Sequence, residues 1–324
     1  MTLSSPAKDA AAGLDGIARL SHTGVIAVAG ADGPSFLHSQ LSNDFDRLDA
    51  ARARLAAYCS PKGRMLASLI GLRRDADTLW LVLRADLLAP TLKRLSMFVL
   101  RAKAKLTDAS ASLAVLGLTG PSARAALGDA AGALPVWGQL ERGDARVVRL
   151  PDGAGQPRFL WIGPNAEAGA LAAAHPALPL AHWDWLEVAS GVAPVVAATV
   201  EQFVPQMLNY ELVGGVNFQK GCYPGQEIVA RSQYRGTLKR RAQRVDGPAE
   251  MMPGQEVFWS GDPGQPSGLV AAAAPQPDGA GFSALVELKL AALAGGTLHL
   301  GAPDGPALTL GTLPYAMPAA DAAA

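Results

Sequence analysis

This chain of 324 residues has no excess of charge: 28 Lys and Arg stand against 28 Asp and Glu. No global field draws it toward nucleic acid or an anionic membrane, so any anion site must be local. Cysteine is scarce as well. Cys59 and Cys222 are the only two, too few and too far apart for a disulfide framework, which points to a reducing cytoplasm. No apolar run approaches the roughly 18 residues of a membrane span, and Leu95–Leu100 is among the longer ones. Met1–Leu20 carries Lys8, Asp9, Asp15 and Arg19 and lacks the form of a signal peptide. Several enzyme signatures are missing too. There is no Walker-type Gly-x-x-x-x-Gly-Lys-Ser/Thr, Gly30-Ala31-Asp32-Gly33 lacks dinucleotide-loop spacing, and no Gly-x-Ser-x-Gly places a serine nucleophile. His22, His38, His175, His182 and His299 form no His-x-x-x-His pair for zinc.

What is present describes a folded, loop-rich protein. Hydrophobic residues make up 49% of the chain, enough to exclude disorder as the main state, and Gly 35 and Pro 24 supply many turns. The length suits two or three domains. Val25–Ala29, Ala53–Tyr58, Met65–Leu72 and Thr78–Arg84 read as strands, with helices over Phe36–Leu41 and Asp86–Arg101. A looser second round follows: strands at Leu113–Leu118, Ala145–Leu150 and Arg158–Ile162, and helices at Pro121–Leu127, Ala166–Ala174 and His182–Ser190. Strands followed by helices indicate α+β layers. From Lys239 onward, short apolar segments between Gly-Asp-Pro-Gly, Pro-Asp-Gly and Ala-Gly-Gly turns predict a small antiparallel barrel or sandwich.

One segment stands apart: Lys220-Gly221-Cys222-Tyr223-Pro224-Gly225-Gln226-Glu227. With Pro224 in the first turn of a helix, Cys222 would sit just before the positive end of the helix dipole, and Lys220 adds a further cation; both favour the thiolate. The alternative is a small buried hydrophobe in a tight turn. A single cysteine cannot hold an iron–sulfur cluster, which takes four ligands, so Cys222 could at most share one. Around it lie Arg231, Arg235, Lys239, Arg240, Arg241 and Arg244, interleaved with Phe218, Tyr223 and Tyr234. That basic group admits three readings: polyanion binding, a solvated helix face, or recognition of a small aromatic ligand with carboxylates.

The motif closely resembles the signature of the YgfZ family, relatives of the glycine-cleavage T-protein (aminomethyltransferase) that serve iron–sulfur cluster assembly. The match extends to Pro205-Gln206, Asn209, Gly215–Phe218, Val229-Ala230-Arg231, Gly236 and Lys239-Arg240, and back to Gln40–Asp44 and Cys59–Arg64. The resemblance implies a ring of two α+β lobes and a C-terminal antiparallel β-barrel. The expected division is 20–50 with 180–238 as a first, discontinuous lobe, 51–179 as a second, 239–316 as the barrel, and flexible ends at 1–19 and 317–324. It also implies tetrahydrofolate as ligand, and an iron–sulfur cluster held only transiently or shared.

A pterin wants a carboxylate for its amide N–H and amino group, and its glutamate tail wants cations. Asp44 and Glu187 are the candidates for the first role and Arg231 or Arg240 for the second, with Tyr223, Gln226 and Glu227 also assigned to the ligand. The chain departs from the relatives' Ile-Glu-Ala-Gly at Val188-Ala189-Ser190-Gly191, where Ala189 holds the usual acid position and Glu187 would point elsewhere on a helix. Cys222 is expected to be the reactive or metal-contacting thiol and Lys220 its electrostatic support. The function implied is a folate-binding accessory protein for cluster assembly or repair that supports tRNA-thiolating and other cluster-dependent enzymes. Its partners would be assembly proteins or client enzymes, with no membrane and no direct nucleic-acid binding. The alternatives are a folate-dependent aminomethyl transferase using Asp44, and an RNA-docking module using Arg231–Arg244.

Overall fold

The computed structural model describes residues 14–234 and 238–318. In chain order, β1 (Gly16–Arg19), β2 (Thr23–Ala29), helix α1 (Gly33–Gln40), β3 (Arg54–Cys59), β4 (Met65–Arg73), β5 (Thr78–Arg84), helix α2 (Ala85–Met97) and β6 (Lys105–Asp108) come first. Next are β7 (Leu113–Thr119), α3 (Gly120–Leu127), the one-turn α4 (Asp129–Gly132), β8 (Gln139–Arg142), β9 (Ala145–Gly153), β10 (Gln156–Pro164), α5 (Asn165–Ala173) and α6 (Leu180–Ala189). A long irregular stretch leads to α7 (Gln226–Tyr234). The chain ends in β11 (Arg240–Gly247), β12 (Glu256–Trp259), β13 (Gly268–Pro275), β14 (Phe282–Lys289), β15 (Leu298–Leu300) and β16 (Ala307–Leu310).

Two five-stranded sheets form, in the orders β3-β4-β5-β2-β6 and β1-β7-β10-β9-β8. The alternation of β5 sets the layering, because successive side chains point to opposite faces. Leu79, Leu81 and Leu83 enter a core with Phe36 and Leu37 of α1 and Leu88 and Leu95 of α2. Trp80 and Val82 meet Val115, Val148, Leu160 and Ile162 of the other sheet. Helices α3 and α5 cover that sheet's far face through Ala123, Leu127 and Ala168. The layers therefore run helix, sheet, sheet, helix. The last six strands close into a barrel, β11-β14-β13-β12-β15-β16, around Val245, Val257, Val270 and Val286.

Helix α6 joins the parts. Its Trp183 lies in the core between the sheets, over Gly117 of β7, where a Cβ would stand 2.5 Å from the indole. Its Trp185 donates from Nε1 to Ser283 Oγ of the barrel at 3.1 Å. The α+β architecture with a C-terminal barrel is the expected one.

Three details differ from the sequence reading. A boundary at 50/51 would cut a sheet, because β3 to β6 hydrogen-bond into one sheet with β2. Gly16–Arg19, expected within a flexible end, is a strand paired with β7. Pro224 precedes helix α7 rather than starting it: Gly225 turns at φ +79 and the helix begins at Gln226. Cys222 thus lies farther from the helix dipole than its spacing suggested. Residues 1–13, 235–237 and 319–324, with Arg235 and Gly236 among them, lie outside the described residues.

Candidate functional site

The cysteine loop and the two segments marked by the family resemblance, Gln40–Asp44 and Cys59–Arg64, meet on one side of the first sheet. Ser42 Oγ donates to Gly215 O at 2.6 Å and accepts from Ala57 N at 2.8 Å. Asn43 Nδ2 donates to Leu55 O and Gly214 O, each at 2.7 Å. The Gln40–Asp44 segment thereby stitches the stretch before the cysteine loop to β3. Lys220 then reaches back across α1, donating from Nζ to Leu41 O at 2.7 Å and to His38 O, with the Tyr223 ring 4.8 Å away. Burial pulls the Lys220 ammonium down to about 8, against the opposing charges of Asp44, Asp46 and Cys222.

Gly225 and Gly63 lock the loop to the β3–β4 turn. A Cβ on Gly225 would fall against Ser60 O and 2.7 Å from Gly63 N and Cα, and both glycines have positive φ. Only glycine permits that approach and that conformation. Cys222 emerges exposed at a shallow depression bordered by Pro61, Tyr223, Gln226 and Glu227. Cys59 beneath is buried, and burial pushes its thiol up to about 12.

Asp44 sits at this loop, not in a ligand cleft. It accepts from Arg47 N at 3.2 Å and pairs with His38 Nδ1 at 3.0 Å. Burial works against its charge, but these donors prevail and hold its carboxyl below the ordinary value.

A separate cleft lies between the two sheets, with about 80 Å³ of free volume of its own and about 400 Å³ more at its outer mouth. It is walled by Leu55, Leu69, Leu83, Leu160, Trp137 and Trp183, and carries Glu187, Arg84 and Arg158 as its charged groups, with His22 near them. Glu187 pairs with Arg84; burial raises its carboxyl while the Arg84 cation opposes the shift. Glu187 therefore does face the cleft, contrary to the orientation read from the sequence, and the buried Ala189 is not among its lining residues.

Arg158 is 2% exposed. Its Nε donates to Pro151 O at 3.1 Å and its guanidinium lies 5.2 Å from the Trp183 ring, yet Nη1 has no hydrogen-bond partner. Desolvation lowers it to about 10. A buried N–H without an acceptor is costly and rare, and here it belongs to a cation lining a cleft. At the outer mouth, His22 Nε2 stands 2.9 Å from Asp184 Oδ1, and Ala271–Ala273 of the barrel complete the wall.

The other sequence candidates are dispersed. Arg240 pairs with Glu287 at 2.8 Å between barrel strands β11 and β14, Arg241 with Glu211 at 2.6 Å, and Arg244 with Asp246 at 3.0 Å. Three of the five described cations of the basic group are thus consumed in ion pairs, and Arg231 and Lys239 are exposed. Gln226 and Glu227 open α7 beside Cys222. Sequence reading missed Arg84 and Arg158. The available signal was a lone cation at the end of each strand, next to otherwise apolar runs.

Two covered sheets enclosing a cleft and backed by a closed barrel define a protein of the glycine-cleavage T-protein fold. The profile of the GCVT N-terminal domain matches residues 12–136. The solved aminomethyltransferase T of the Bartonella henselae glycine cleavage system superposes with a TM-score of 0.71 at 21% identity, covering 92% of this chain and 85% of that one. Sequence relatives narrow the class. The tRNA-modifying protein YgfZ of Klebsiella pneumoniae is 33% identical over 263 residues, 78% of this chain and 79% of that protein. The Edwardsiella ictaluri protein of the same name is 31% identical over 300 residues, 90% of this chain and 89% of its own. The chain belongs to the YgfZ family of tRNA-modifying proteins.

Proposed function

We propose that the protein binds tetrahydrofolate in the cleft between its sheets and acts through Cys222 in the assembly or repair of iron–sulfur clusters, supporting cluster-dependent enzymes that include those thiolating tRNA. The observation that carries the reading is the cleft itself: apolar and aromatic walls, one half-buried carboxylate, and a buried guanidinium N–H still lacking an acceptor. Those groups fit a reduced folate. Glu187 would accept from the pterin amide N–H and amino group, while Arg158 Nη1 would donate to an oxygen of the ligand. Bound folate would supply a one-carbon carrier; the chain's own part is to bind, orient and shield it.

Cys222 works at a different place, on the exposed loop held by Lys220, Gly225 and Gly63. Among the described residues no cluster of three or more His, Cys, Asp or Glu is arranged for a metal, so a cluster would be shared with a partner protein. The aminomethyl-transferase reading loses its chosen carboxylate, since Asp44 is absent from the cleft lining.

Titration calorimetry with tetrahydrofolate tests the cleft. Wild type and Cys222→Ser should bind alike, and Glu187→Gln should bind at least about 10-fold more weakly, the value of one charge-assisted bond. Complementation of a deletion strain tests the loop, where Cys222→Ser should fail to restore thiolated tRNA. Equal binding by Glu187→Gln, or full complementation by Cys222→Ser, would overturn the corresponding half.

A further inference from the structure

The chain is neutral overall, but one stretch is not. From Leu87 to Thr107 it carries Lys93, Arg94, Arg101, Lys103 and Lys105 and no carboxylate. These residues occupy the end of α2, the turn after it and the start of β6, an edge strand of the first sheet. Lys93, Arg101, Lys103 and Lys105 are exposed, and none of the five pairs with a carboxylate among the described residues. Lys93 and Arg94 in the last helical turn have a structural use, since they offset the helix dipole. Arg101, Lys103 and Lys105 have no such use. Apolar side chains stand among them: Met97 is 58% exposed, Phe98 45% and Leu100 85%, with the Arg94 guanidinium 6.0 Å from the Phe98 ring.

This surface is tied to the cysteine loop through α1. Lys103 N donates to Asp32 Oδ2 at 2.7 Å, and Asp32 N donates to Lys103 O at 3.2 Å. Asp32 precedes α1, and the far end of α1 supplies the His38 and Leu41 carbonyls that hold Lys220.

We propose that the end of α2 and the segment leading into β6 form a docking surface for the phosphate backbone of tRNA. Unpaired cations in a row complement phosphates, and the Phe98 ring offers a face on which an unpaired base stacks. The proposal rests on the reading that the protein serves tRNA modification. It moves RNA contact away from Arg231–Arg244, where Arg240, Arg241 and Arg244 are neutralised within the fold.

The test is binding of purified bulk bacterial tRNA to the full-length protein, followed by fluorescence anisotropy at several salt concentrations. Neutralising four phosphates predicts a slope of log affinity against log salt of about −3.6, an affinity loss of about 100-fold between 50 and 200 mM. The triple variant Arg101→Gln/Lys103→Gln/Lys105→Gln should retain a slope of about −1, while Arg231→Gln/Lys239→Gln should match wild type. Arg101→Gln alone should lower the slope by about one, a second reading if the triple variant folds poorly. No tRNA binding by wild type at 50 mM, or a slope unchanged in the triple variant, overturns the proposal. So does binding of phosphatidylglycerol vesicles or of an acidic polypeptide, polyglutamate, in place of tRNA. The same strains separate this failure from failure of the functional reading. If wild type restores thiolated tRNA without binding tRNA, only the surface is wrong; if wild type restores none, the reading itself falls.

Discussion

Substituting Arg158→Met removes a guanidinium that is buried between the sheets with Nη1 unpartnered. Desolvation lowers its pKa to about 10, below the ordinary guanidinium range. Because the folded value lies below the unfolded one, the charged side chain opposes folding in full at every pH below 10, and the penalty fades only as pH rises above that. Its size is on the order of 3 kcal/mol. Methionine keeps the apolar stem and removes that penalty. Against this, the substitution loses the hydrogen bond to Pro151 O, worth about 1 kcal/mol, and the contact with the Trp183 ring, worth about 1 kcal/mol. The balance is a stabilisation of about 1 kcal/mol, a rise in Tm of roughly 2–4 °C.

Ligand binding should move the other way. Losing one charge-assisted donor costs about 1.5–3 kcal/mol, which weakens tetrahydrofolate about 10- to 150-fold. Differential scanning calorimetry and titration calorimetry at pH 7.5 read the two effects. A fall in Tm of more than about 5 °C would mean that Arg158 is chiefly the structural partner of Glu187. Unchanged folate affinity would remove it from the ligand site.

A thiol reagent should modify one cysteine in the native protein and two after denaturation, since Cys222 is exposed and Cys59 is buried with its thiol raised to about 12; two fast native thiols would contradict the docking of the loop. Lys220, at about 8 when folded against an ordinary lysine value of 10.5, carries a penalty that is full below pH 8 and relieved as pH rises toward 10.5. Wild type should therefore gain about 1 kcal/mol on Lys220→Met between pH 7 and 9.5 in urea titrations, a figure reduced for the water reaching the loop; a constant difference would refute the burial of the ammonium. Gly225→Ala combines a positive φ with collision against Ser60 and Gly63. It should cost about 2–4 kcal/mol and loosen the loop to proteolysis; an unaltered melt with unaltered cleavage would show that the loop is not held at this point.

The elements were largely legible because their cause is local. The alternation of Thr78–Arg84 gives β5 over that same range, and the turn-rich texture after Lys239 corresponds to the barrel strands. The cysteine loop was also legible by its own residue pattern, and its two companion segments by the family resemblance. Their meeting was not, since Lys220 lies 179 residues from Leu41, the carbonyl that accepts from it. Nor was the cleft: Arg84 and Glu187 are 103 residues apart, and neither carries a local mark of the other.

Charge shows the same boundary. In sequence, Arg240, Arg241 and Arg244 read as one basic surface with Arg231, whereas Lys93–Lys105 drew no attention. Folding reverses the two, because Glu287, Glu211 and Asp246 neutralise the first set while no described carboxylate pairs with the second. Local spacing by itself determined strands, helices, turns and the glycine-bounded cysteine loop, since these follow from side-chain alternation and backbone conformation within a few residues. Which strands share a sheet, which carboxylate faces the cleft and which cations remain free were decided only by the tertiary structure, because pairing energy depends on distance in space and long-range partners leave no local periodicity.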